Sequence, residues 1–141
     1  SSVETAKSTM DDGPRRLAGL RILVAEDIEI NREIMQEILT DMGASPTLVT
    51  NGKEAVDAVR SQGSGAFDVV LMDIQMPVMN GHQATREIRA IAPDLPIIGQ
   101  TAHALAEERE ACLASGMVAH ISKPIDTDKL ATLIQKKKKN T

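Results

Sequence analysis

Val69-Val70-Leu71-Met72-Asp73 is four apolar residues running straight into a carboxylate, with Ile74-Gln75-Met76-Pro77-Val78-Met79-Asn80-Gly81 behind it. A short continuous apolar run closed by turn residues suits a strand buried on both faces. An ionised Asp at the end of such a strand is costly to desolvate unless something positive meets it. Asp73 therefore belongs at the strand's C-terminal edge, which in an open α/β sheet is the edge where ligands bind.

Working outward, Arg21-Ile22-Leu23-Val24-Ala25 is a second apolar run, and it too ends in carboxylates, Glu26-Asp27. Ile30, Ile34, Met35, Ile38, Leu39 and Met42 follow at helical spacing, with Gly43 as the C-cap. Residues 45–49 read as a short strand, and Pro46, which cannot donate to a ladder, makes it an edge strand. Asn51-Gly52 reads as a turn, and residues 53–60 place Ala55, Val56 and Val59 on one helical face. Residues 61–65 form a loop before the Asp73 strand.

Beyond Gly81, a helix over 82–91 carries Ala84, Ile88 and Ile91 and is stopped by Pro93 and Pro96. A fourth strand, 96–100, ends in Thr101. A fourth helix, 104–115, carries Leu105, Ala111, Cys112 and Leu113. A fifth strand, 118–122, runs into Lys123-Pro124, and a last helix, 126–136, turns Leu130, Leu133 and Ile134 inward. Five β-α repeats imply a parallel sheet with helices on both faces. Right-handed crossovers then bring every strand's C-terminal end to one edge. That edge collects Glu26, Asp27, Asp73, Thr101 and Lys123.

Composition narrows the function classes. At 141 residues the chain holds one domain with tails. Residues 1–18, with the breaker cluster Asp11-Asp12-Gly13-Pro14, read as a flexible linker or arm; 19–136 form the domain; 137–141 are a basic tail. Phe67 is the single aromatic, so base-stacking platforms are missing, and a net charge of −4 opposes broad phosphate-backbone binding. No nucleic-acid partner is expected. The lone Cys112 excludes an intrachain disulfide and a cysteine-only metal cluster. No apolar run nears the ~20 residues that span a bilayer, and no signal-peptide pattern opens the chain. The domain is expected to lie in the cytoplasm without membrane contact of its own, although a larger parent protein can carry an anchor.

Three carboxylates in a small space are stable together when a cation neutralises them. An oxygen-only ligand set suits Mg²⁺ or Mn²⁺. Lys123 is a point-charge donor for a phosphoryl oxygen, and the Thr101 hydroxyl can donate to another. Asp73 is left as a nucleophile capable of forming an aspartyl phosphate. Phosphoryl transfer asks mainly for positioning and charge neutralisation, and these five residues supply both.

Glu26-Asp27, the Met72-Asp73-Ile74-Gln75-Met76-Pro77-x-Met79-Asn80-Gly81 run, Thr101-Ala102 and Lys123-Pro124 resemble the receiver domain of response regulators. Within that family the flavour is that of the C-terminal receiver of hybrid sensor histidine kinases. The resemblance implies a flavodoxin-like α/β fold, a doubly wound five-stranded parallel sheet of order 2-1-3-4-5. It implies that Asp73 is the phosphoacceptor. Asp27, Asp73 and the Gln75 backbone carbonyl would ligate Mg²⁺, with Glu26 on a metal-bound water. Thr101 would be the switch hydroxyl, Ala102 and Lys123 would meet the phosphoryl group, and the Lys123-Pro124 bond would be cis. Gln75 and His103 occupy positions that tune acyl-phosphate lifetime. The partner implied is a phosphohistidine on a histidine kinase or a histidine phosphotransfer protein, docking near the Asp73 edge on the first helix, where Ile28 and Ile30 offer apolar contacts.

One departure is His120, where family members often carry Tyr or Phe. An imidazole offers a ring to swing and a proton to exchange. Other readings are a stand-alone single-domain response regulator and a phosphorylation-independent module of the same fold. A phosphohydrolase with an Asp nucleophile commonly carries a second Asp two residues on, and Gln75 stands there. Asn51-Gly52-Lys53-Glu54 lacks the rest of a P-loop. The chemistry is therefore expected to be self-phosphorylation and autodephosphorylation rather than turnover, with any histidine kinase activity belonging to the parent.

Overall fold

The structure is a computed structural model, and it describes residues 15–102 and 105–139. Strands β1 (Arg21–Ala25), β2 (Ser45–Val49), β3 (Val69–Asp73), β4 (Ile97–Thr101) and β5 (Ala119–Ser122) alternate with helices α1 (Glu29–Asp41), α2 (Gly52–Gln62), α3 (Gly81–Ile91), α4 (Ala106–Ser115) and α5 (Thr127–Lys137). All strand pairs are parallel, in the order β2-β1-β3-β4-β5. The sheet is thus the doubly wound one expected, with Pro46 on an edge strand. β3 and β4 are buried along their whole length, which accounts for the apolar run of β3 up to Asp73, while β4 also buries the polar Gln100 and Thr101.

Side-chain alternation splits the core in two. On one face Leu23, Val70, Met72 and Ile97 pack with Val56, Phe67 and Ile88 from the α2–α3 side. On the other, Val24, Leu71 and Ile98 pack with Met35, Leu39, Leu130 and Ile134 of α1 and α5. Only Met35 and Leu39 of the α1 periodicity are buried; Ile30 and Ile34 stay 57% and 49% exposed.

Several boundaries differ from those the sequence predicts. Asn51-Gly52 is a helix start rather than a free turn: the Asn51 side chain accepts from Glu54 N–H and caps α2. Asn80 does the same for α3, in a capping box with Gln83. The packed body also reaches past 19–136. Leu17 is fully buried against the α1–α5 core, and its N–H donates to Met42 O at 2.9 Å. Arg16 donates to Asp128, Thr132 and Gln135 of α5. At the other end Lys139 N–H donates to Asp68 O at 3.0 Å. An arm ending at residue 18 and a tail starting at 137 would both cut into this packing. The sequence signal was polar composition, and it concealed one buried leucine.

Candidate functional site

β1 and β3 end at the same edge of the sheet, and their carboxylates meet there. Oxygens of Glu26, Asp27 and Asp73 lie within 4.8 Å of one another. Glu26 is 2% and Asp73 5% exposed, while Asp27 is half-buried. From the end of β5, Lys123 Nζ reaches across to donate to Glu26 Oε1 and Asp73 Oδ2, each at 3.3 Å. The other oxygen of Glu26 accepts from Ile28 N–H at 3.2 Å.

The loops are locked to the strands. Arg32, one turn into α1, donates to the carbonyls of Glu26 and Asp27 at 2.9 and 3.0 Å. After β3 the chain makes a tight turn in which Met79 N–H donates to Pro77 O at 2.7 Å, with Val78 at φ 69°. Gly81 then packs against the backbone of Asp73 and Ile74 so closely that a Cβ would collide with the Asp73 carbonyl. Gly81 N–H donates to Ile74 O at 2.8 Å, fixing the turn behind the carboxylate.

A cleft of about 280 Å³ opens over the acidic group, lined by Asp27, Asp73, Gln75, Ala102, Glu108 and Lys123 among others. Thr101 ends β4, 1% exposed, and its carbonyl accepts from Lys123 N–H at 2.8 Å. The Lys123-Pro124 peptide bond is cis. His120 lies apart from the cleft, half-buried on β5 beside a hollow lined by Lys129, Leu133 and Lys136. His103 falls outside the described residues. Cys112 is buried, and burial and then Glu108 push its thiol up to about 11, which disfavours the thiolate.

Burial and charge crowding act together on Asp73. Burial, then the charge of Glu26, push its carboxyl up to about 6 against the pull of Lys123. Burial disfavours the Lys123 ammonium, but the carboxylates of Asp73 and Glu26 outweigh it and raise the group above its ordinary value. The site is therefore short of positive charge, and its donor set is all oxygen. Both features fit a hard divalent cation such as Mg²⁺.

Sequence spacing alone points to neither Arg32 nor Glu108. Arg32 falls five residues after Asp27 on a helix, a spacing that by itself describes any exposed arginine. Glu108 comes from the first turn of α4, and only the crossover geometry brings it to the cleft.

Comparison with known proteins places this geometry. The response regulator receiver domain family matches residues 22–135. The sensor protein GacS of Pseudomonas syringae pv. syringae is 44% identical over 121 residues, covering 82% of this chain and 13% of the relative. The chain thus spans about an eighth of that protein. Two-component response regulator 24 of Arabidopsis thaliana is 38% identical, with 83% of each chain covered. The receiver domain of the sensor histidine kinase PA1611 from Pseudomonas aeruginosa, solved with magnesium in its active-site cleft, superposes with a TM-score of 0.77 at 38% identity, covering 85% of this chain and 98% of that one. The receiver domain of Saccharomyces cerevisiae Ssk1, solved with the histidine phosphotransfer protein Ypd1, gives 0.77 at 26%, covering 84% and 88%. With its sheet order, its acidic edge and a family match along nearly the whole packed body, this chain belongs to the response regulator receiver domains.

Proposed function

We propose that Asp73 accepts a phosphoryl group from a phosphohistidine. The observation that carries this is the Asp73 carboxylate itself: buried, 3.3 Å from an ammonium, beside two further carboxylates, and opening onto a cleft. Asp73 would attack phosphorus as the P–N bond to the donor imidazole breaks, giving an acyl phosphate and a free histidine. Asp27, Asp73 and the Gln75 carbonyl would hold Mg²⁺, with Glu26 on a metal-bound water; the ion supplies charge neutralisation for the phosphoryl oxygens. Lys123 would shift its donation to a phosphoryl oxygen, and the Ala102 backbone and Thr101 hydroxyl would meet the others. Gln75 and His103 would set how fast water removes the group.

The added charge then biases the α4–β5–α5 surface through Thr101, with His120 at the position of the usual aromatic switch. Leu105, Leu113 and Val118 are exposed apolar side chains on the α4 side of that surface. The donor would dock on α1, where Ile28 and Ile30 stand 49% and 57% exposed above the acidic edge.

Incubation with acetyl phosphate and Mg²⁺, followed by intact mass, tests the acceptor. A labile gain of about 80 Da is expected in the wild type and not in Asp73→Asn. Equal gain in both would move the acceptor elsewhere.

The domain would be a cytoplasmic part of a hybrid histidine kinase, a reading supported by sensor kinase relatives of which this chain spans 13%. A second reading, a stand-alone response regulator, is favoured by the Arabidopsis relative, which matches over 83% of its own length. The size of the native polypeptide on an immunoblot separates the two. Among the described residues no helix is long and apolar enough to cross a membrane.

A further inference from the structure

Gln100 is a buried polar residue that the chemistry above does not use. It is 1% exposed, and its Nε2 has no hydrogen-bond partner among the described residues. Such a donor is costly inside a core, where apolar residues of the same size would cost nothing.

Its place in the sheet suggests a purpose. Alternation puts Gln100 on the same face as Ile98, the α1–α5 face. Continuing Val24, Leu71 and Ile121 by two residues puts Glu26, Asp73 and Lys123 on that face as well. In the order β1-β3-β4-β5, Gln100 stands directly opposite Asp73 in the ladder. Gln100 stands opposite Ile121 in the β4–β5 ladder, two residues before Lys123, whose ammonium reaches both Asp73 and Glu26. Glu26, Gln100 and Lys123 also line one cavity of about 290 Å³, walled by Met35, Ile38 and Ile125. The carboxamide therefore has room to turn, next to both charged partners.

We propose that Gln100 is a positioning residue of the phosphoacceptor site: its carboxamide donates to the Glu26 carboxylate once Lys123 leaves Glu26 for the phosphoryl oxygens. The inference rests on the phosphoacceptor reading. In the unphosphorylated state Lys123 holds Glu26 Oε1, while the carboxamide nitrogen lacks an acceptor. When the ammonium moves, a buried carboxylate oxygen loses that donor, and the waiting N–H can replace it. No proton changes hands. The unpaired donor of one state becomes the matched donor of the other, which favours the phosphorylated state selectively.

The test uses Mg²⁺ and beryllium trifluoride as the phosphoryl mimic, on the wild type, Gln100→Leu and Gln100→Met. Both variants are expected to melt no lower than the wild type, since a buried unpaired donor has gone. Mg²⁺ affinity without the mimic should stay within about twofold, and beryllium trifluoride affinity should fall about tenfold, the size of one hydrogen bond to a charged group. In the wild type, the Gln100 side-chain amide protons should shift downfield and exchange more slowly on adding the mimic; this readout holds even if a variant misfolds. Unchanged amide protons, or equal losses of Mg²⁺ and mimic affinity, would overturn the inference while leaving Asp73 as acceptor. No uptake of mimic by the wild type would overturn both.

Discussion

Asp73 is a carboxylate buried beside another carboxylate. Its raised titration means the folded chain keeps a proton after the unfolded chain has lost it. Stability from this group is fully present below the ordinary carboxylate range, near pH ~4, and declines as pH rises to about 6. Asp73→Asn removes the effect. The variant is therefore expected to melt above the wild type at about pH 8, with the gap closing toward about pH 4. Thermal melts of both proteins decide it; a gap independent of pH would refute the assignment. Because the cation needs the ionised form, Mg²⁺ should raise the wild-type melting temperature more at about pH 8 than at about pH 5, and chelation should reverse the gain.

At the scale of elements, the turn between β3 and α3 fixes the carboxylate from behind. A Cβ at position 81 would be driven into the Asp73 carbonyl and the Ile74 backbone. Gly81→Ala is expected to cost about 1–3 kcal/mol by overpacking and to slow acetyl phosphate uptake, because the backbone that must yield carries Asp73, the proposed acceptor. Denaturation and intact-mass time courses measure the two effects. A stable variant with normal uptake would show that the turn can relax without moving Asp73.

α1 works differently. Its apolar periodicity is wider than the core needs, and the surplus faces solvent. Ile30→Glu, at a 57% exposed position, is expected to leave stability within ~0.5 kcal/mol. Transfer from a phosphohistidine protein should fall about tenfold or more, while uptake from acetyl phosphate is unchanged. Equal rates from the protein donor would remove α1 from the docking surface.

For the whole molecule, the α1–α5 core is completed by the segment that precedes β1. Leu17 closes the α1–α5 core from outside the sheet, and Arg16 fastens that segment to α5. Leu17→Ala is expected to destabilise by about 2–4 kcal/mol, read by urea denaturation. A loss below ~1 kcal/mol would mean that the segment is not part of the cooperative unit.

The alternation of apolar runs with helical periodicities determined the fold, because a parallel sheet buried on both faces leaves little freedom in topology. The order of the strands came from a family resemblance, with Pro46 as the one local residue agreeing with it. The residues gathered at the sheet edge were also legible, since crossover handedness sends every strand end to one side. What periodicity could not show was which apolar residues remain outside. Ile34 and Met35 read alike in a helical pattern, yet one is half-exposed and the other buried. Nor could composition show Leu17 packing inside a polar segment, Arg32 fastening the acidic loop, or Gln100 sharing one cavity with Glu26 and Lys123. Each depends on residues far apart in the chain meeting at a set distance, and that is decided only when the sheet and helices close on one another.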